Sequence, residues 1–355
     1  MWIKLAYKDN MNFDLDGYVC ELMNLHFDPK EGTPYWLRQQ KNTGIDYRRE
    51  ITSVDDLWKL DYANAPDGTE LMSLERTRDL VPKKILREEM TKLIPGETTG
   101  TRARKYPMWD EDYLADIIRH SNYILDLYGV PKGEDWLNFI PSYVFGRHFI
   151  ELARSRGGIL YPIPTDSLLG KKVLLTGDQK KIDEIFGHAF NQMMSKSKIE
   201  KIGVTLTLPL LFPILSTIMD VSNLKALLWA GTYFPAKLPY EWKNGFESFK
   251  EAKEQYKGII LGGIYGNGMF GQAWYISDGT NRLNYYPPEP YVRFEVINRD
   301  MGKNVKYGER GQLVITTLRK TLLSRWKERD AANRIPPFNN FDGIQNVGPL
   351  ETIDF

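Results

Sequence analysis

The sequence Pro95-Gly96-Glu97-Thr98-Thr99-Gly100-Thr101-Arg102-Ala103-Arg104-Lys105 is a hydroxyl-rich, glycine-punctuated segment that ends in basic residues. A helical pattern begins shortly afterwards, at Asp110. Backbone N–H groups in such a loop, together with threonine hydroxyls and nearby cations, can bind phosphate oxygens. The same composition is also common in solvent-facing turns, so the segment alone leaves both interpretations open.

Length, charge and cysteine content limit the classes of protein to be considered. The chain has 355 residues, enough for one large α/β domain or for several subdomains. Its 47 basic and 46 acidic residues are balanced, so we expect no binding to nucleic acid or to an anionic membrane. The single cysteine, Cys20, excludes an intrachain disulfide and fits a reducing cytoplasm.

No targeting or membrane segment is predicted. The N-terminus lacks the apolar run of a signal peptide. The most apolar stretch, residues 203–219, is interrupted by Pro209 and Pro213, which favours a buried element over a membrane span. We therefore expect a cytoplasmic protein.

Alternating helix and strand patterns favour an α/β architecture. Apolar residues recur at helical spacing after Asp110, which is predicted to cap that helix. Strands are predicted at three later places: 204–208, 224–229 and 258–264. Helical patterns between them favour a parallel or mixed sheet. Farther along, residues 292–296 and 313–315 alternate across a turn, which predicts an antiparallel hairpin.

Six motifs, in this order along the chain, resemble those of the adenylate-forming superfamily (acyl-CoA synthetases, adenylation domains and luciferases). They are Ile51–Leu57, Glu97–Gly100, Trp229–Thr232, Ile264–Gly266, Val296–Thr316 and Arg325–Asp330. Within the superfamily they look most like the phenylacetate–CoA ligase branch. The resemblance covers about residues 50–332.

The resemblance implies the large N-terminal domain of these enzymes, an α/β fold with two subdomains of mixed sheets and a distorted antiparallel β-barrel. The implied organisation is an N-terminal helical segment over 1–90, an α/β core over 91–290, the barrel part over 291–335 and a tail over 336–355. The superfamily's small C-terminal domain would be absent from a chain that stops at Phe355. We therefore expect a second subunit, or a second copy of the chain, to cover the site.

The resemblance also implies which residues hold the reactants. Thr98, Thr99 and Lys105 would act on the phosphates during the reaction. ATP or AMP would be bound by Thr98, Thr99, Gly100, Thr101, Gly231, Thr232, Tyr265, Gly266, Arg325 and Asp330. In that set Tyr265 would lie against adenine, and Asp330 would accept both ribose hydroxyls. The acyl pocket would be lined by Tyr143, Phe145, His148, Trp229 and Gly263.

Some of these positions also have an ordinary structural explanation. His148 fits equally well as a histidine near a helix start that bonds to backbone. The alternating charges of Arg325–Asp330 fit an exposed strand, although the match just before them favours the nucleotide site. The other histidines lie far apart, without metal-ligand spacing, so no metal site made of protein side chains is predicted.

Two positions depart from the superfamily's pattern. Glu97 replaces a glycine of the phosphate loop, and Arg102, Arg104 or Lys105 would have to neutralise its charge beside a triphosphate. The acidic magnesium ligand corresponds to Met269, and a thioether does not replace a carboxylate on a hard cation. Mg²⁺ is therefore a candidate cofactor only with an altered ligand set.

Three functions are compatible with the sequence. The first is an ATP-dependent ligase that activates a carboxylic acid, aromatic by resemblance, as an acyl-adenylate for transfer to CoA or a carrier thiol. The second is an acyltransferase, or an amide- or ester-forming enzyme, with altered nucleotide use. The third is a non-catalytic subunit that binds a nucleotide or an acyl compound within a complex. The resemblance favours the first.

Overall fold

A computed structural model describes residues 13–60, 75–96, 107–140, 143–164, 173, 178–230, 253–279 and 282–350. These residues form two compact units. The first unit contains the described residues up to Ile117, Gly268–Gly271 and Tyr286–Ile344. The second contains those from Ile118 to Asn267, Gln272–Tyr285 and those from Gln345 onward. Within the described ranges, none of the helices has the length and apolar character needed to cross a bilayer.

Short helices build the N-terminal part of the first unit. They are α1 (Leu15–His26), α2 (Pro34–Thr43), α3 (Tyr47–Glu50) and α4 (Lys83–Glu88), with 3₁₀ turns at Val54–Leu60, Thr77–Leu80 and Met90–Lys92. Their core is aromatic, because Phe27 packs against both Trp36 and Tyr47 with ring centroids 5.3 and 4.9 Å apart. Each of these three rings is almost completely buried.

Strands β1 (Leu93–Pro95) and β2 (Met108–Asp110) pair antiparallel, one on each side of the predicted phosphate loop. Helix α5 (Glu111–Leu127) follows β2 directly. The N–H of Tyr113 donates to Oδ1 of Asp110 at 2.9 Å, which satisfies one of the free donors at the start of a helix. The predicted cap of this helix is therefore confirmed.

The second unit alternates strands with helices, as predicted. After α5 it contains β3 (Asp135–Ile140), α6 (Tyr143–Ser155), β4 (Leu160–Pro164), α7 (Gln179–Ile199), β5 (Ile202–Thr207), a 3₁₀ turn (Pro209–Ile214), α8 (Leu215–Ile218), β6 (Ala226–Ala230), β7 (Ile260–Asn267), β8 (Gly271–Tyr275) and β9 (Asn284–Tyr286). The three predicted strands are confirmed as β5, β6 and β7, with ends shifted by one to three residues.

The strands of this unit lie in the order β9-β8-β7-β6-β5-β3-β4. Those from β7 to β4 run parallel. Only residues 268–270 separate β7 from β8, too few for a parallel crossover, so these two strands are antiparallel and the sheet is mixed.

The chain continues in the first unit with an antiparallel meander of β10 (Val292–Ile297), β11 (Arg310–Arg319) and β12 (Leu322–Ile335). Phe294 pairs with Ile315, so the predicted hairpin is confirmed. A further strand, β13 (Gly343–Pro349), lies where a tail was expected. Ile344 and Val347 of this strand are buried, and tertiary burial of this kind is not visible in so short a pattern.

Candidate functional site

Three predicted ligand-binding residues share one face of the sheet in the second unit. The register of β6 and β7 places Trp229 beside Gly263, and the indole lies where a Cβ at 263 would come within 2.5 Å of it. Tyr265 is two residues farther along β7 and points to the same face. The rings of Tyr275 and Tyr285 lie 6.3 Å from that of Trp229 and 6.0 Å from that of Tyr265, respectively. We call these four rings and Gly263 the aromatic face.

The aromatic face is extended by residues that the sequence motifs did not include. The ring of Phe212, in the 3₁₀ turn after β5, lies 5.9 Å from Trp229. Tyr256 donates to the carbonyl oxygen of Phe212 at 2.6 Å and thereby holds the turn in place. The sequence did contain a signal that could have identified Tyr275 and Tyr285, since both are aromatic residues in short apolar strands. The sequence did not show that these two rings lie near Trp229, because their proximity depends on the order of the strands in the sheet.

His148 lies on the opposite side of the sheet from the aromatic face. Trp274 precedes Tyr275 in β8, so the two side chains point to opposite faces. Trp274 Nε1 donates to Ser121 Oγ at 3.1 Å, and this oxygen is 3.4 Å from Nε2 of the fully buried His148. Side-chain alternation along β8 therefore places His148 and Trp229, both predicted to line the acyl pocket, on opposite faces of this sheet.

Phe145 lies one turn before His148 on α6 and is half-buried. Tyr143 is the first residue of that helix, and its side chain lies outside what the structure describes. The roles of all five predicted acyl-pocket residues in substrate binding stay predictions.

Two buried histidines are held in their neutral form. Burial lowers the pKa of His148 to about 3 and that of His26 to about 4. His26 Nε2 lies 2.9 Å from the carbonyl oxygen of Arg319 and must donate to it. Its Nδ1 therefore accepts from the hydroxyl of Thr33, 2.7 Å away. Neither imidazole is protonated in the folded protein near pH 7.

We expect the free energy of unfolding to fall as the pH is lowered from about 6.5 to about 4. In the unfolded chain both histidines take up protons near their ordinary pKa of about 6.5. The folded chain does not, so protons favour the unfolded state throughout this window, by up to about 1.4 kcal/mol per pH unit for each histidine. Urea unfolding at pH 7, 6 and 5 measures the slope. His148→Gln should reduce it, while His188→Gln, at an exposed position, should not. Equal stability at pH 7 and pH 5 would contradict the assignment.

Asp330 lies in a bulge of β12. The register between β11 and β12 shifts between Gln312 and Val314, so Leu313 faces the three residues 328–330. Bulges change the direction of side chains and are over-represented next to active sites. The bulge therefore distinguishes Asp330 from a carboxylate in a regular surface strand.

The bulge is held in shape by Glu328. Its carboxylate accepts from Trp326 Nε1 at 3.0 Å and from the N–H of Arg329 at 3.3 Å. Asp330, two residues farther along the bulge, is half-buried. Burial lowers the pKa of Arg310, and the nearby charge of Asp330 opposes that shift. The ribose-binding role of Asp330 stays a prediction.

Arg325 forms a buried ion pair inside the first unit. Its Nε donates to Glu295 Oε2 at 3.0 Å, and the two side chains are only 4% and 9% exposed. Glu295 belongs to β10 and Arg325 to β12, so the pair links the two strands across β11. The position predicted to bind nucleotide therefore has a structural role, and its contact with a nucleotide stays a prediction.

The predicted phosphate-binding residues lie outside the described ranges, as do Gly231 and Thr232. These loop residues are Thr98, Thr99, Gly100, Thr101 and Lys105. The two ends of the loop are described, and the N–H of Gly96 donates to the carbonyl oxygen of Pro107 at 2.7 Å. This bond extends the β1–β2 pairing and brings the ends of the loop together. Gly266, near the end of β7, is exposed.

The surroundings of Met269 do not fit Mg²⁺. The side chain is 3% exposed, and its thioether is a poor ligand for a hard cation. The carbonyl oxygen of Met269 accepts from Arg319 Nη2 at 2.7 Å, so a positive charge lies beside this residue and would repel a divalent cation. Nowhere in the described ranges do three or more His, Cys, Asp or Glu side chains form a group that could hold a metal ion.

Comparison with known proteins identifies the fold. No family model and no curated protein sequence matches the chain. The chain does match a solved structure of 2-hydroxyisobutyryl-CoA ligase, in an open conformation with 2-HIB-AMP and CoA, with a TM-score of 0.62 and 12% identity. The match covers 94% of this chain and 68% of the ligase. The fold is that of the large N-terminal domain of adenylate-forming enzymes.

The same ligase in its postadenylation state, in complex with R3-HIB-AMP, gives a TM-score of 0.62 at 13% identity and covers 96% of this chain and 67% of the ligase. The predicted fold class is thereby confirmed. At this level of identity the likeness concerns the fold alone, since one fold supports many chemistries. The assignment to the phenylacetate–CoA ligase branch stays a prediction.

Proposed function

We propose that this chain activates a carboxylic acid with ATP by forming an acyl-adenylate, whose acyl group is then passed to CoA or to a carrier thiol. The observation that carries the proposal is the aromatic face. Trp229 and Tyr265 come from two separate motifs that resemble those of adenylate-forming enzymes. They lie on the same side of adjacent strands, and the indole of Trp229 occupies the space over Gly263, which pairs with it in the register.

The proposed reaction joins a carboxylate oxygen of the acid to the α-phosphorus of ATP. The bond between this phosphorus and the bridging oxygen of pyrophosphate breaks, and pyrophosphate leaves with the electron pair. Negative charge grows on the phosphate oxygens, so the reaction requires fixed hydrogen-bond donors and cations. We assign these roles to the hydroxyls of Thr98 and Thr99, the ammonium of Lys105 and the backbone N–H groups of Gly100 and Thr101.

The nucleoside part of ATP is proposed to contact two motifs. Tyr265 offers a ring on which adenine can stack, with Gly266 next to it leaving the backbone accessible. Asp330 accepts hydrogen bonds from both ribose hydroxyls, because an ionised carboxylate has acceptor sites on both oxygens. Its half-buried position reduces competition from water without the full cost of burying a charge.

The acid is proposed to be aromatic. Planar rings pack favourably in offset or edge-to-face contact with tryptophan and tyrosine side chains, which Trp229, Tyr275 and Phe212 provide. The matched ligase is named for an aliphatic hydroxy acid. We therefore attribute the difference in substrate specificity between this chain and the matched ligase to the side chains that contact the acid, and not to the fold.

A non-catalytic role is the second candidate, and the environment of Met269 favours it. A buried thioether and an arginine-bound carbonyl remove the usual place of a metal from this loop. Such a chain can still bind a nucleotide although it no longer forms an acyl-adenylate. A second subunit or a second copy of the chain that completes the site is also part of the proposal.

Pyrophosphate release tests the proposal. We expect aromatic acids, with ATP and Mg²⁺, to support release, and Trp229→Leu to raise the KM for the acid more than the KM for ATP. Trp58→Leu, at a tryptophan that is 59% exposed, is the matched control and should leave both unchanged. ATP binding without release for any acid of a broad panel would favour the non-catalytic candidate.

A further inference from the structure

The loop 268–271, which comprises the three residues between β7 and β8 and the first residue of β8, is fixed by three buried side chains. These come from three different elements of the first unit. Each side chain donates to one of three consecutive carbonyl groups. The bonds are Trp109 Nε1 to Gly268 O at 2.7 Å, Arg319 Nη2 to Met269 O at 2.7 Å and Tyr113 Oη to Phe270 O at 2.8 Å. Connecting loops usually leave such carbonyls to water, so a donor for each one is a specific feature of this loop.

Arg319 is the centre of this arrangement. Its side chain is almost completely buried, and the guanidinium lies 4.6 Å from the ring centroid of Tyr113 and 5.7 Å from that of Trp109. These are cation–π distances. Its Nε and Nη1 atoms are buried and have no hydrogen-bond partner among the described residues. A buried cation whose N–H groups lack acceptors destabilises the fold, so stability alone does not explain an arginine at this position.

Both sides of the contact are held rigidly. The carbonyl oxygen of Arg319 accepts from His26 Nε2 at 2.9 Å. The preceding carbonyl, of Leu318, accepts from Tyr18 Oη at 2.7 Å. In the loop, Gly271 has a φ of +86°, and a Cβ there would lie 2.6 Å from Tyr113 Oη, so only glycine fits.

The residues around Arg319 are close in sequence to two of the three segments that are predicted to bind the nucleotide. Trp109 and Tyr113 follow the predicted phosphate loop. Only Asn267 separates the loop 268–271 from Gly266, which follows the predicted adenine-binding residue. The third segment is farther away: Arg319 ends β11, whereas Asp330 lies opposite Leu313 of the same strand.

We propose that Arg319 is a positioning residue: it fixes the loop 268–271 and, through it, the end of β7 that presents Tyr265 and Gly266 to the nucleotide. The part of this inference that concerns the nucleotide rests on the proposed function. The part that concerns the fixing of the loop does not. No motif of the sequence assigns a role to Arg319.

The test compares Arg319→Met with Arg156→Met. Arg156 is a matched control, because its side chain is equally buried and also donates to a backbone carbonyl, that of Val130, but within the second unit. Amide hydrogen exchange in peptides covering 264–272 reports on the loop directly. Calorimetry with ATP and AMP, and the KM values in pyrophosphate release, report on the nucleotide. Both are measured at a temperature at which the variants are folded.

For Arg319→Met we expect exchange in the loop to accelerate at least tenfold, and the nucleotide Kd to rise about 10- to 100-fold, because small displacements of positioning groups have effects of this size. The KM for the acid should change little, and Arg319→Lys, which retains charge and a donor, should recover part of the affinity. Arg156→Met should change neither loop exchange nor nucleotide affinity. If Arg319→Met does not fold, Tyr113→Phe removes only the bond to Phe270 and gives the same comparison.

Loop exchange in Arg319→Met equal to that in Arg156→Met would overturn the proposal. Faster exchange with an unchanged nucleotide Kd would overturn its second half, the link to the nucleotide. If the unmodified protein binds no nucleotide, and Arg319→Met alone accelerates exchange in the loop, the fixing of the loop is supported and the proposed function is refuted.

Discussion

Replacing Asp330 with alanine is expected to weaken the binding of ATP and AMP by about 2–4 kcal/mol, which corresponds to about a 30- to 800-fold higher Kd. The reason is that two hydrogen bonds from ribose hydroxyls to an ionised carboxylate are lost together, and charge-assisted bonds are the stronger kind. The thermal midpoint should change little, since Asp330 is half-buried and lies in a bulge, outside the regular β11–β12 pairing. Isothermal titration calorimetry with both nucleotides measures the effect.

Asp300→Ala is the matched control for this experiment. It removes an exposed carboxylate from the turn between β10 and β11, in the same unit and with the same change in net charge. Its nucleotide affinity should equal that of the unmodified protein. If Asp330→Ala binds ATP and AMP as tightly as Asp300→Ala does, the ribose-binding role assigned to the Arg325–Asp330 motif is wrong.

Removing one partner of the buried ion pair is expected to have the largest effect on stability. Arg325→Met leaves Glu295 charged in a site where its side chain was 9% exposed, and the free energy of unfolding should fall by about 3–5 kcal/mol. The double variant Arg325→Met/Glu295→Leu should recover most of that loss, because apolar side chains of similar size can replace a buried pair. Urea unfolding at pH 7 measures all three proteins.

The control is Arg87→Met, which breaks the exposed pair between Arg87 and Glu31, with side chains 57% and 39% exposed. Exposed pairs contribute about 0–1 kcal/mol. If Arg325→Met costs no more than Arg87→Met, or if the double variant is as unstable as the single one, the pair does not stabilise the meander as described.

Local patterns in the sequence were sufficient for several elements of the fold. The cap at Asp110 could be predicted because a short acidic side chain before an apolar periodic segment has few other roles. The hairpin could be predicted because Phe294 and Ile315 lie in strands that alternate, with a glycine-containing turn between them. In both cases the residues that determine the structure are neighbours in the sequence.

Features that depend on contacts between distant segments could not be predicted in this way. The sequence does not show that His148 and Trp229 lie on opposite faces of the sheet, because it does not show which helices cover which face. The partner of Arg325 lies 30 residues away, on a strand that is not adjacent to its own. The contact of Arg319 with Met269 spans 50 residues and places a cation in the interior, against the usual preference of arginine for the surface.

Mass spectrometry of the reaction mixture shows whether this chain forms an acyl-adenylate. The protein is incubated with ATP, Mg²⁺ and an aromatic acid whose carboxyl group carries ¹⁸O, first without a thiol and then with CoA. We expect acyl-AMP together with an equal amount of pyrophosphate in the first step, and AMP that retains one ¹⁸O atom after the second. Bound ATP that remains intact with every acid, with no acyl-AMP and no labelled AMP, would contradict this expectation.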